Sequence, residues 1–529
     1  MNMSASANQD PQAQGEIPRP AADPTRSVNP RPLSKSKLLA FRQCERRLWL
    51  EVHSPELRQD SSASQARFNA GHLVGELARQ RYDPLGKGAL IDPQTEGFQQ
   101  AFARTRTLLS AHHPIFEAGF TAAGGLAFAD VLLPVQVGEE PMWRMVEVKS
   151  STSVKDYHRD DAAIQAHVAR SSGVALAAIA VAHVDSTWVY PGGNDYVGLL
   201  KEQDVTAEAF ARSAEVQRWI EDAQRVVKQA IQPERGTGDH CTSPFACGFI
   251  DHCKSGEAQA EVPVQWLPRA QSKALRSHVS QTDVIDMRQV PDDLLNETQR
   301  RVKAHTLAGS AWFDEAGASQ ALLSHQAPMN FLDFETIQFT VPIWAGTRPY
   351  QQIPFQFSMH RMLADGTLTH DEFLDLSGDD PSQSFADALI KTCDGIGPVF
   401  VYNAGFEKAR MKELAVRFPE RALQLQAIIS RVVDLLPVAR SHYYHPSQQG
   451  SWSIKKVLPA VVPELHYGAL EGVQDGGAAM NVYLEAINPT TESERKGEIR
   501  RQLLAYCSLD TYAMVRLWQV FAGRQDLKL

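Results

Sequence analysis

Met329-Asn330-Phe331-Leu332-Asp333-Phe334-Glu335-Thr336 is a short apolar run interrupted by two carboxylates two positions apart. A strand has a side-chain period of two, so Asp333 and Glu335 point to one face while Leu332 and Phe334 point to the other. Two acids side by side in a Phe- and Leu-rich strand are costly, because like charges repel and burial disfavours ionisation. A hard divalent cation held between them removes that cost. A strand end with its acids in solvent is the plain structural alternative.

Two later stretches add to the first. Val399-Phe400-Val401-Tyr402-Asn403-Ala404-Gly405-Phe406-Glu407 reads as a strand, a small-residue turn and a helix start, with Glu407 in the first turn and Met411, Leu414, Ala415 and Phe418 on the inner side. Near the C-terminal end, Tyr506 and Asp510 lie four apart on one face of a helical pattern. The order D-x-E on a strand, N-x-x-F-E at a strand-to-helix turn and Y-x-x-x-D on a late helix resembles the DEDD superfamily of RNase H-like 3′–5′ exonucleases (the DnaQ type), in its tyrosine subclass. The resemblance spans roughly residues 325–525, with Glu407 where that family usually has Asp. It implies that Asp333, Glu335, Glu407 and Asp510 hold two Mg²⁺ or Mn²⁺ ions and that Tyr506 positions the attacking water. Asp434 reads either as support for such a site or as a helix cap. Gly450 to Leu458 has hydroxyls and lysines suited to phosphate contacts, and Arg348 to Ser358 reads as the next strand.

At 529 residues the chain is too long for one ordinary core, and its 43% hydrophobic and 22% charged content is globular. The net charge of −9 argues against a broadly basic surface but leaves local basic patches open. No apolar run reaches membrane-span length, Val174–Val184 being short enough for a buried strand. Residues 1–32 read as a disordered tail without an apolar signal core, which points to the cytoplasm and to reduced thiols.

A second constellation lies earlier. Phe128-Ala129-Asp130 opens a predicted strand, Gly138 to Glu140 a turn, and Trp143 to Ser150 a partner strand on which Glu147 and Lys149 share a face. D…E-x-K on adjacent strands makes a metal-plus-lysine site, in which the acids bind Mg²⁺ and Lys149 orients a water or steadies a phosphate. A surface Glu–Lys pair is the ordinary alternative. Gln165, in the following helix, could face the site. Four of the six cysteines flank this region: Cys44, in a helix running from about Ser34 to Leu50, then Cys241, Cys247 and Cys253. Thiolates suit a [4Fe–4S] cluster or zinc.

Residues 33–255 resemble the PD-(D/E)XK nucleases of the RecB class, including the iron–sulfur forms of AddB and of CRISPR adaptation, in which one early and three late cysteines bracket the core. Those families space the late cysteines C-x2-C-x5-C, whereas here both gaps are five. They also carry an early metal-binding His, and here His72 or Glu76 stands nearest that position. Together the two halves resemble a bacterial family that fuses such a domain to a DEDDy exonuclease.

The expected architecture is therefore α/β: a restriction-endonuclease-like PD-(D/E)XK domain over 33–255, a helical region over 256–327 whose clearest helix runs from Leu294 to Val302, and an RNase H-like domain over 328–525. The expected activity is metal-dependent DNA hydrolysis in repair, recombination or foreign-DNA processing, with RNA not excluded. No Walker loop is present, so any unwinding falls to a separate helicase. The rival readings are a nucleic-acid-binding scaffold without turnover, gripping through Arg42, Arg46 and Arg47, and a zinc or redox-sensing regulator.

Overall fold

The structure, a computed structural model, describes residues 32–268, 272–282 and 284–524. The expected tail lies, apart from Pro32, outside the described residues. Two open sheets, each flanked by helices, organise a mixed α/β chain. None of the described helices is long and apolar enough to cross a membrane.

The first sheet runs Ala89–Leu90, Ile115–Ala122, Gly125–Val137, Glu140–Lys149, Leu176–Val184, Leu200–Asp204, with Leu33–Ser34 alongside Gly125–Val137. Gly125–Val137 and Glu140–Lys149 form a hairpin whose two-residue turn opens on Gly138 at φ 62°, a value glycine takes without steric cost. Asp130 thus sits inside its strand, which starts three residues before Phe128. Glu140–Lys149 and Leu176–Val184 are parallel, joined by the crossover helix Asp156–Ser171. That helix is buried from Asp161 to Ala169, and its alanines at 162, 163, 166 and 169 let it lie close under the sheet.

The second sheet runs Leu368–Leu374, Ile353–Met362, Met329–Ile337, Val399–Val401, Val432–Asp434. Its first three strands are antiparallel, and the last two run parallel to the central Met329–Ile337. The two-residue period of that central strand decides what packs on each face. Leu332 and Phe334 join Phe385, Leu389 and Met411 from the helices Ser382–Thr392 and Gly405–Arg417. Phe331 packs with Trp518, and Ile337 with Leu503 and Ala513, all from the long helix Ser493–Phe521. Gln356 on the neighbouring strand donates to the Leu503 carbonyl at 2.8 Å and fixes that helix along the sheet. The acids at 333 and 335 therefore face the long helix.

Several local expectations are corrected. The first helix is two helices, Lys35–Gln43 and Glu45–His53, because Cys44 between them is extended at φ −164°. Arg348 to Gln352 is loop and the strand is Ile353–Met362. Leu294 closes a 3₁₀ turn, and the helix is Glu297–Ala308, started by an Asn296–Gln299 capping box. Residues 256–327 form no free connector: Val264, Leu275, Met287 and Val302 share one core with Phe331, Phe400 and Trp518.

The two sheets are tied by the loop after the central strand of the second. Tyr190 N donates to the Thr347 carbonyl at 2.9 Å and Gly346 N to the Tyr190 carbonyl at 2.8 Å. Val341 packs with Val74, Ala78, Val184 and Leu200, and the Tyr350 hydroxyl donates to the carbonyl of Ser150, the residue after Lys149.

Gly450 is packed tightly against the 256–327 region. Its φ is 73°, and a Cβ there would lie 1.6 Å from the Trp266 carbonyl oxygen. Gly450→Ala should lower stability by about 2–3 kcal/mol, read as a lower midpoint in denaturant unfolding.

Candidate metal centre and a lysine–carboxylate cluster

The central strand and the long helix bring Asp333, Glu335 and Asp510 together with one carboxylate oxygen of each within 4.8 Å of the others, the group of this kind found among the described residues. Burial comes first among the causes that raise the pKa values of these acids, and their mutual repulsion adds to it. Glu335 is pushed up to about 8, Asp510 to about 6, and Asp333 well above the usual carboxylate range. Tyr467 donates to Asp510 Oδ1 at 2.5 Å, which opposes the rise at Asp510. Tyr506, one turn before Asp510, is buried among the same acids, and burial together with the charges of Asp510, Glu335 and Asp333 pushes its pKa up. The Lys455 ammonium lies 5.2 Å from the Tyr467 ring and 5.1 Å from the Tyr506 ring.

Glu407 stands outside the 4.8 Å group, yet its charge adds to the repulsion on Asp333. It is 2% exposed, its Oε2 has no hydrogen-bond partner, and burial pushes its pKa up to about 8. Asp434 holds the turn before it. Its two oxygens accept from Asn403 N at 2.9 Å and Ala404 N at 3.0 Å, while Oδ1 also caps the helix Leu435–His442 through Leu436 N at 3.0 Å. These bonds hold Asn403 at φ 79°, a conformation a non-glycine residue rarely adopts. Asp434 is thus a cap that sets where the Glu407 helix begins. The donor set is all hard oxygen, buried and short of positive charge, and an unpartnered carboxylate oxygen is left over; these features fit Mg²⁺ or Mn²⁺.

The first sheet carries a cluster of another kind. Lys149 Nζ lies 2.6 Å from Glu147 Oε1 and 2.5 Å from Asp161 Oδ2. Lys35 Nζ, from the start of the first helix, lies 2.7 Å from the same Glu147 oxygen and 3.5 Å from Asp161 Oδ1. Gln165 donates to Glu147 Oε2 and, at 3.1 Å, to Asp161 Oδ1. Asp130 Oδ2 accepts from Val148 N at 2.7 Å. Burial pushes Glu147 up to about 7, with Asp130 and Asp161 adding to the rise and the two lysines opposing it. At Asp161 burial also pushes upward, but Lys149 and Lys35 outweigh it and hold this carboxyl far below its ordinary range.

The structure thus gathers Asp130, Glu147, Lys149 and Gln165 and adds Asp161 and Lys35, which the sequence reading passed over. It does not bring in His72 or Glu76. Val74 and Ala78 are the buried positions of the helix Ser62–Tyr82, and residues two positions away from them point to the opposite, exposed side. Glu76 has Arg79 as its ion-pair partner, at 3.9 Å.

The family described as a domain of unknown function (DUF2779) matches residues 330–453. That span takes in Asp333, Glu335, Glu407 and Asp434, and ends before Lys455, Tyr467, Tyr506 and Asp510. No curated protein matches the chain.

Cys44, Cys241, Cys247 and Cys253 are buried, free of disulfides, and line one cavity with Arg46, Arg47 and His240. Gln43, next to Cys44, donates to the His240 carbonyl at 2.6 Å and the Phe245 carbonyl at 2.7 Å, drawing the late cysteine loop onto the first helix. Burial raises the Cys247 and Cys253 thiols, opposed by Arg47 and Arg46 respectively. The arginines expected to grip nucleic acid are engaged within the chain. Arg42 stacks 4.1 Å from the Trp219 ring centre and bonds Asp160, Arg46 bonds the Arg235 carbonyl at 3.1 Å, and Arg47 bonds Glu51 at 2.9 Å.

The raised carboxylates fix a pH dependence for the metal-free protein. Glu335 and Glu407 keep a proton up to about 8 when folded but lose it near 4.5 when unfolded, so the folded state binds more protons across that window. Stability in EDTA should therefore be greatest near pH 5 and fall as pH rises towards 8. Denaturant midpoints between pH 5 and 8.5 test this, and millimolar Mn²⁺ should raise the midpoint most at the alkaline end.

Proposed function

We propose that this chain is a metal-dependent nuclease that hydrolyses phosphodiester bonds in DNA, with an RNase H-like exonuclease centre of the DEDDy kind in the second domain and a PD-(D/E)XK-like centre in the first. The observation that carries the reading is the convergence of Asp333, Glu335 and Asp510 within 4.8 Å, joined by the buried, unpartnered oxygen of Glu407. Three antiparallel strands followed by two parallel ones, with the acids on the central strand and on the last helix, support the first assignment. A hairpin bearing Asp130 and Glu147-x-Lys149, closed by a crossover helix bearing Asp161 and Gln165, supports the second.

Asp333, Glu335, Glu407 and Asp510 would hold two divalent ions. Bound there, the ions supply an acidic water and neutralise charge at the scissile phosphate. The chain's own residues do the orienting. Tyr467 fixes the Asp510 carboxylate through its 2.5 Å bond. Tyr506 positions the attacking water, and Lys455, lying over both tyrosine rings, offers a cation to a phosphate oxygen. Asp434 keeps the Glu407 helix at its station through Asn403 and Ala404.

The four-cysteine cavity is read as a [4Fe–4S] site, with zinc as the alternative. The four thiols lining one cavity beside Arg46 and Arg47 support this reading. Protein purified without oxygen should be brown with broad absorbance near ~400 nm. Cys44→Ala and Cys253→Ala should each remove the colour and lower the thermal midpoint, whereas a colourless protein holding stoichiometric zinc would assign the cavity to zinc.

End-labelled single-stranded DNA with Mn²⁺ or Mg²⁺ tests the activity. Asp333→Ala should cost about 10²-fold or more at the second centre, as expected when a metal ligand is lost. Lys149→Ala should spare that centre and silence the first. Wild type that degrades DNA, with each single variant keeping part of that activity and the double variant none, establishes two nuclease centres. Binding without cleavage by wild type would leave a scaffold in place of an enzyme.

A further inference from the structure

The two acidic clusters differ in how their charge is met. In the second, Glu335 and Asp510 feel Lys455, which lies over the tyrosine rings, and Glu407 feels Arg410, but no ammonium or guanidinium is paired with any of these acids among the described residues. In the first, the countercharge sits on one oxygen of Glu147: Oε1 takes both Lys35 and Lys149, while Oε2 takes the neutral Gln165 amide. A divalent ion can take Glu147 Oε1 only by displacing an ammonium. Lys149 is the harder to move, because it shares a strand face with Glu147 and makes two short pairs, at 2.6 and 2.5 Å. Lys35 makes one short pair at 2.7 Å and one of 3.5 Å, from the first turn of a helix capped by Ser34. Its long flexible stem lets the ammonium leave without moving the backbone.

An independent feature points to a ligand at the same place. Gln165 is fully buried, and while its amide nitrogen serves Glu147 and Asp161, its Oε1 has no partner. A water carried on an incoming cation would donate to that oxygen. Asp130, held by one oxygen through Val148 N, keeps its other oxygen for the same ion.

We propose that Lys35 is the resident counter-ion of the first cluster, which a divalent cation must displace to take Glu147 Oε1, so that this side chain sets how tightly the cluster takes metal. The inference rests on reading that cluster as a metal site, and its test needs no turnover. Free Mn²⁺ is followed by electron paramagnetic resonance in the full chain carrying Asp333→Ala and Asp510→Ala, which removes the second centre. In that background Lys35→Met, which keeps the apolar stem and drops the charge, should tighten Mn²⁺ binding about tenfold. Lys35→Arg should bind as Lys does, and adding Glu147→Ala should erase the gain. Lys35→Gln serves in place of Met should the Met variant not fold. Unchanged, weaker or absent Mn²⁺ binding in the neutral variants overturns the proposal. Tighter Mn²⁺ without any DNA cleavage upholds the role of Lys35 while sinking the nuclease function.

Discussion

Like-charge repulsion in a desolvated space is the constraint on which the second domain depends. Asp333 and Glu335 lie on a strand that is otherwise wholly buried, and the face they share is covered by the long helix that carries Asp510. Water is largely excluded there, so the negative charge must be met by protons or by a cation. Much of the surrounding architecture serves that face. Parity along the strand sends Leu332 and Phe334 to a separate apolar layer, Gln356 fixes the long helix, and Asp434 fixes the helix of Glu407. A cluster held this firmly cannot relax by moving its carboxylates apart.

The first domain meets the same difficulty in another way. Asp130, Glu147 and Asp161 share the crossover side of the sheet with two lysines from distant parts of the chain, and the pairs are short and mutually supporting. Such a network offsets most of its buried charge without added ions, since Glu147 and Asp161 are paired with the lysines while Asp130 is held by the Val148 amide. One cluster holds its acids with little countercharge, and the other sets two lysines against three acids. The loop bearing Tyr350 joins them, since it leaves the Glu335 strand and ends on the carbonyl beside Lys149.

The legible parts of the sequence were those governed by local periodicity. MNFLDFET gave its strand and its two faces through a period of two, and Tyr506 and Asp510 shared a face through a helical period of four. Glu147 and Lys149 were readable for the same reason. The misses come from long-range placement. Lys35 looks like one of several lysines at a helix start, and nothing local says that it reaches Glu147, 112 positions away. Asp161 carried a usable signal, lying one turn before Gln165 on the same helix face. Tyr467 sits in a short 3₁₀ turn with no pattern of its own. His72 and Glu76 failed because family position was set above helix periodicity: the buried Val74 and Ala78 already placed both on the outer face. The break at Cys44 was hidden because helix propensity is high on both sides of it, and the extended backbone there is a tertiary choice that lets Gln43 and Cys44 address the late loop.

That same junction governs the order in which the first domain can be completed. The Gln43 amide meets its two carbonyls 197 and 202 residues further along the chain. Closing so long a loop adds little equilibrium cost, since each doubling of length costs only about 0.6 kcal/mol. Time is where the distance matters, because pairings between remote segments form late. Lys35, at the other end of the Gln43 helix, is synthesised among the first residues of the domain. Leu38 ties that helix to the core of the first sheet, and the loop carrying Cys241 and Phe245 adds a further brace from later in the chain. On the growing chain the sheet and its acids precede the last brace of their own counter-charge.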